Sequence, residues 1–178
     1  NWDIYLKNVP TSSAIQKLTS HGAQDINPTV SPDGARLAFA SNRSGNFDIF
    51  IMSLNGGTAK QQVTDSQNAE FNPTWSPDGS RIAFVAVPEQ ELGGDGRPTL
   101  ADIWIIGADG RERRQLTQSG SFNMQPAWSR DGTIFFTSDR SGIDNIWALR
   151  DPETVTPSAG RRQVTSVDPG AAGGEAAP

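Results

Sequence analysis

The apolar residues of this chain come in short runs separated by turn-forming clusters, and the helical spacing i, i+3, i+4, i+7 is nowhere sustained. Arg36-Leu37-Ala38-Phe39-Ala40 and Arg81-Ile82-Ala83-Phe84-Val85 each read as a strand. Both follow a turn, Ser31-Pro32-Asp33-Gly34 and Ser76-Pro77-Asp78-Gly79. In that turn proline presets φ at the second position, Asp is tolerated at the third and Gly closes it. Ahead of the turn stands Asn27-Pro28-Thr29-Val30, repeated as Asn72-Pro73-Thr74-Trp75. A third version, Gln125-Pro126-Ala127-Trp128, precedes Ser129-Arg130-Asp131-Gly132. Strand, tight turn, strand predicts three β-hairpins.

Two further segments recur between these hairpins. Asp3-Ile4-Tyr5-Leu6 has counterparts in Asp48-Ile49-Phe50-Ile51, Asp102-Ile103-Trp104-Ile105 and Asn145-Ile146-Trp147-Ala148. Each is followed by a Leu/Val-Thr segment ending at Thr19, Thr64, Thr117 or Thr165. Asn55-Gly56 and Asp109-Gly110 between them are strong hairpin signals. A unit is therefore four short strands, a to d, recurring at an interval of about 45 to 55 residues, which is the period of propeller blades. The predicted fold is an all-β propeller of four-stranded antiparallel blades, about three full blades plus a half-blade. The half-blade covers 1–19 and the blades about 25–65, 70–118 and 123–166, within one repeat domain over 1–166. The Gly/Ala/Pro-rich stretch 167–178 is expected to be disordered, having too little apolar surface to offset ordering. Two irregularities stand out: extra residues at 88–99 between strands b and c of the second blade, and a long c–d connection at 150–161.

The string Asn72-Pro-Thr-Trp-Ser-Pro-Asp-Gly-Ser-Arg-Ile-Ala-Phe84, with Ser41-Asn-Arg-Ser-Gly-Asn-Phe-Asp-Ile-Phe50 and the Gln-Leu-Thr endings, resembles the TolB-type β-propeller repeat. Such repeats occur in periplasmic TolB and in the propellers of prolyl-oligopeptidase-like and tricorn-type proteases. The resemblance implies a propeller and an extracytoplasmic, envelope-associated setting. It leaves function open, because one fold hosts many activities.

Composition narrows the choice. The 178 residues carry a net charge of −5, which disfavours nucleic acid as a partner. No apolar run reaches the roughly 20 residues of a membrane span, so membrane insertion is not expected. No leader peptide is read at the N-terminus, and a start at Asn1 suggests a processed or truncated chain. Cysteine is absent and His21 is the one histidine, so no catalytic triad, metal site or cofactor is predicted. An oxygen-only Ca²⁺ site stays conceivable. No Gly-x-Ser-x-Gly elbow is found.

Because strand direction alternates, the d–a and b–c loops share one face. The polar residues at the start of strand a, Asp25 and Asn27, Glu70 and Asn72, Asn123 and Gln125, are expected to ring the channel mouth there. The 88–99 insertion, with Glu91, Asp95 and Arg97, leans over the same face. These residues are the candidate partner-binding set; caps for neighbouring backbone groups are the alternative for Asn27, Asn72 and Gln125, and a plain solvated loop is the alternative for the insertion. The recurrent Asp ahead of strand c (Asp3, Asp48, Asp102) reads as a tie between loops, and Trp75, Trp128, Phe39, Phe84 and Phe135 as inter-blade core. The expected function is a non-enzymatic module binding a protein or peptide at this mouth. The alternative is the gating propeller of a serine peptidase, and an enzyme acting at the mouth is the most remote. Three and a half blades do not close a ring. The chain is then a fragment of a larger propeller, or copies self-associate to complete the ring, or the edges stay open.

Overall fold

The expected hairpins form, and they join in pairs. The computed structural model describes residues 1–7, 14–56, 60–92, 97–118, 120–150 and 161–164. The half-blade consists of β1 (Tyr5–Lys7) and β2 (Ile15–Lys17). Blade 1 contains β3 (Asp25–Val30), β4 (Arg36–Ser41), β5 (Asp48–Ser53) and β6 (Lys60–Gln62). Blade 2 contains β7 (Ala69–Trp75), β8 (Arg81–Val87), β9 (Asp102–Gly107) and β10 (Arg114–Gln115). Blade 3 contains β11 (Asn123–Trp128), β12 (Ile134–Ser138), β13 (Asn145–Leu149) and β14 (Arg161–Gln163). Each blade is an antiparallel meander in chain order, and both β3 and β11 neighbour β7 at the centre. One 3₁₀ turn, Glu89–Glu91, lies in the insertion. Asp95, the 151–160 connection and the 165–178 tail lie outside the described residues.

The Ser-x-Asp-Gly motif closes the a–b turn on itself. Gly34 N donates to Ser31 O at 2.9 Å, Gly79 N to Ser76 O at 2.9 Å and Gly132 N to Ser129 O at 3.1 Å. The glycines sit at φ +71°, +69° and +85°, a region that glycine enters without a Cβ penalty. Ser76 Oγ donates to Asp78 at 2.6 Å, and these bonds hold the Asp78 carboxyl down at about 2. The Leu/Val-Thr endings also have a cause. Thr19, Thr64 and Thr117 are buried, and their hydroxyls accept the amides of Ile4, Ile49 and Ile103 at 2.9, 2.8 and 2.9 Å. The side chain thus satisfies a backbone donor that the short outer strand leaves open.

The core lies in the seams between blades. Ile4 packs with Leu37, Phe39, Phe50 and Met52 of blade 1. Ile49, Ile51 and Val63 meet Trp75, Ile82 and Phe84 of blade 2, and Ile103, Ile105 and Leu116 meet Ile134, Phe136 and Leu149 of blade 3. One expectation is corrected here. Phe136, not Phe135, takes the place of Phe39 and Phe84, because the third a–b turn is one residue shorter and side chains alternate with period two. The outgoing face of blade 3 meets no following blade among the described residues. Ile146 and Val164 are 44% and 52% exposed, where Ile49 and Leu116 are both at 0%.

Candidate functional site

Strand a departs from a regular strand at the same point in every blade. Asn27, Asn72 and Gln125 have φ of +51°, +49° and +52°, unusual for residues with a Cβ. The register of each a–b pair shifts across them, between Ile26 and Thr29, Phe71 and Thr74, and Met124 and Ala127. A left-handed residue followed by proline produces this bulge, since proline brings no amide to the ladder. The three bulges converge on one open concavity of about 340 Å³ at the centre of the blades, lined by Asn27, Asn72, Gln125, their prolines, Thr74 and Ala127. Among the described residues, the carboxamides of Asn27, Asn72 and Gln125 make no side-chain hydrogen bond. They are not loop caps.

The residues two positions upstream go elsewhere. Asp25, Glu70 and Asn123 are 2%, 0% and 0% exposed, so their side chains are not presented at the mouth. Period-two alternation puts residues 25 and 27 on one face, but the left-handed kink at residue 27 separates the pair. Asp25 and Asn123 meet arginines of their own b–c loops. Arg43 Nη2 donates to Asp25 Oδ1 at 2.7 Å and Arg140 Nη2 to Asn123 Oδ1 at 2.6 Å. In both loops the arginine Nε also donates to a serine hydroxyl, Ser41 or Ser138, at 2.9 Å.

Blade 2 has no arginine at this place in its b–c loop, because Pro88 opens the insertion there. Arg113, just ahead of the outer strand β10, replaces it and pairs with Glu70 Oε1 at 2.6 Å. All three guanidiniums lie over the same kind of cross-strand aromatic pair. Arg43 is 5.5 and 4.9 Å from the Phe39 and Phe50 centroids. Arg113 is 5.6 and 4.6 Å from Phe84 and Trp104, and Arg140 is 5.2 and 4.8 Å from Phe136 and Trp147. Arg113 went unseen in the sequence because nothing in its local motif repeats; the available signal was the proline at position 88.

The described residues of the insertion are tied down at Glu91 and Arg97. Glu91 accepts the amide and hydroxyl of Thr99 at 2.7 and 2.9 Å, which hold its carboxyl below the usual range. Arg97 reaches blade 3, forking onto both oxygens of Asp144 at 2.7 and 2.8 Å and lying 4.3 Å over the Phe122 ring. That fork lowers the Asp144 carboxyl and raises the guanidinium. His21 Nδ1 accepts the Ala23 amide. Of the sequence candidates, Asn27, Asn72 and Gln125 are thus the ones the structure brings together with unspent polar groups.

Comparison with known proteins bears on this geometry. The family model described as TolB beta propeller domain matches residues 1–93 and 59–158. No curated protein matches the sequence. Among solved structures, TolB from Acinetobacter baumannii is 26% identical with a TM-score of 0.69, over 92% of this chain and 37% of that one. A TolB candidate from Agrobacterium tumefaciens is 24% identical with a TM-score of 0.73, over 92% of this chain and 55% of that one. A puromycin-hydrolyzing peptidase from Mycobacterium tuberculosis is 18% identical with a TM-score of 0.68, over 88% of this chain and 25% of that one, a likeness of fold alone. The chain spans about half or less of the length of each.

Proposed function

Starting from a chain that belongs to the TolB beta propeller domain family, we propose that it is a non-enzymatic binding module that takes a peptide or an extended protein segment at the central concavity. The observation that carries this reading is the trio of unbonded carboxamides on left-handed kinks. A carboxamide both donates and accepts, which matches the alternating donors and acceptors of a peptide backbone. Strained backbone repeated at one spot suits a ligand site held in advance of binding. The prolines beside each kink add rigid apolar surface. An extracytoplasmic setting is part of the same proposal, by likeness to TolB.

The test is selection of a displayed random-peptide library on the chain. Peptides so obtained are expected to lose tenfold or more in affinity for a triple Asn27→Ala, Asn72→Ala, Gln125→Ala variant whose melting temperature is not lowered, about 1.4 kcal/mol of binding energy. Equal affinity for the variant, or failure to select any peptide, would sink the proposal.

A further inference from the structure

The seams between blades repeat one polar arrangement, and in one of them a carboxylate on each facing blade keeps a buried oxygen without a partner. In the seam between blades 2 and 3, Asn123 Nδ2 donates to Asp102 Oδ1 at 3.2 Å, and Thr117 Oγ1 donates to the same oxygen at 2.7 Å. Asn123 Oδ1 takes the Arg140 guanidinium, so one carboxylate faces one guanidinium. In the seam between the half-blade and blade 1, two carboxylates face two cations. Lys17 Nζ lies 2.7 Å from Asp3, and Arg43 lies 2.7 Å from Asp25.

The seam between blades 1 and 2 follows neither pattern. Glu70 stands in the place of Asn123, Asp48 in that of Asp102, and neutral Gln62 in that of Lys17. Arg113 is the cation paired with Glu70 there. Glu70 Oε1 accepts from Arg113 and from Ser66 Oγ at 2.6 and 2.8 Å. Asp48 Oδ2 accepts from Ser44 Oγ and Gln62 Nε2 at 2.6 and 3.0 Å. Their other oxygens, Glu70 Oε2 and Asp48 Oδ1, are buried without a partner. Glu70 and Asp48 hold the register positions whose side chains a donated hydrogen bond joins in the next seam, and Asp48 is close enough to act on the Glu70 carboxyl.

We propose that this seam carries a bound proton shared between Glu70 Oε2 and Asp48 Oδ1, standing where the Asn123-to-Asp102 hydrogen bond stands one blade on. With the proton present, the protonated carboxyl donates to the other, both orphan oxygens are satisfied, and the two acids together with Arg113 carry no net charge. The charged and titratable groups facing the pair are Arg113, ahead of β10, and Asp65, in the β6–β7 connection. Thr64, Ser44, Gln62 and Ser66 are neutral. Burial raises both carboxyls above their ordinary values, and Asp65 pushes Asp48 further the same way. The folded state therefore binds the proton more tightly than the unfolded chain does. The stabilisation is complete below the unfolded carboxyl pKa, about 4. It is lost as pH rises through the folded value and the proton leaves to solvent.

The experiment is thermal unfolding of the whole chain from pH 5 to pH 8.5. The wild-type melting temperature is expected to fall with rising pH by about 3 °C or more. Glu70→Gln should remove most of that slope, because its amide donates permanently to Asp48 while its carbonyl keeps Arg113. Asn123→Asp should steepen the slope by building, between blades 2 and 3, a second seam in which two acids face one arginine. Carbon-13 carboxyl titration of the wild type should show one group of the Asp48–Glu70 pair titrating above the ordinary carboxylate range. A wild-type melting temperature independent of pH, or a slope unchanged in Glu70→Gln, overturns the proposal. So does ordinary titration of both carboxyls, which is readable even if a variant fails to fold.

Discussion

Two sets of polar residues sit two positions apart on the innermost strands, and the fold treats them in opposite ways. Asp25, Glu70 and Asn123 are buried in the seams and held by arginines that lie over aromatic pairs. Asn27, Asn72 and Gln125 sit at the axis on left-handed backbone, with no side-chain hydrogen bond among the described residues. The first set shows that a polar group repeated blade by blade is scaffold when the fold buries it and an arginine inside the fold holds it. The second shows that an equally regular repeat is a candidate site when that capacity is left over and strain is retained to aim it. Regular recurrence alone therefore does not separate structural residues from functional ones.

The contrast can be broken from either side. The largest effect is expected from Arg113→Ala, which strips Glu70 of its cation inside the blade 1–blade 2 seam. With the guanidinium itself a quarter exposed, stability measured by urea unfolding should drop by about 3 kcal/mol. A loss under about 1 kcal/mol would mean that Glu70 is not held as a scaffold group.

The opposite sign is expected at the kink. Asn72→Gly removes the Cβ from a left-handed position and should raise stability by up to about 1 kcal/mol, while peptide affinity at the mouth falls. If Asn72→Gly is destabilising, the carboxamide serves the fold and the two sets are alike. Arg97→Ala tests the insertion. The fork to Asp144 is exposed on both sides, so a loss of about 0.5 kcal/mol is expected in the same unfolding assay. A much larger loss would make the insertion a structural strut.

Much of the fold was legible because its signals are local. Ser31-Pro32-Asp33-Gly34 and its copies specify a turn through four adjacent residues, and the Ile-x-Ile and Leu/Val-Thr segments specify strands through period two. The Phe135 to Phe136 slip shows the limit of local reading. A single residue missing from a turn moves every following side chain to the other face, and only cross-strand pairing reveals it. The candidate site was legible as a neighbourhood but not as a set. Asp25 and Asn27 look alike in the sequence, since both are polar, short and at the start of strand a. The turn at Pro88 marked a break in the repeat, yet the guanidinium that compensates comes from Arg113, reached across the sheet rather than along the chain.

By itself, then, the sequence determined the blade: its four strands, its turns, its repeat and the apolar faces that blades share, all set by dihedral preferences and alternation over a few residues. Tertiary structure decided which polar groups are spent. Whether a carboxylate meets an arginine, an asparagine or a second carboxylate depends on which blade edge faces it, and in the seam between blades 1 and 2 that neighbour is another acid. Burial then sets the consequence, because a charge without a partner costs far more in a closed seam than at an open mouth.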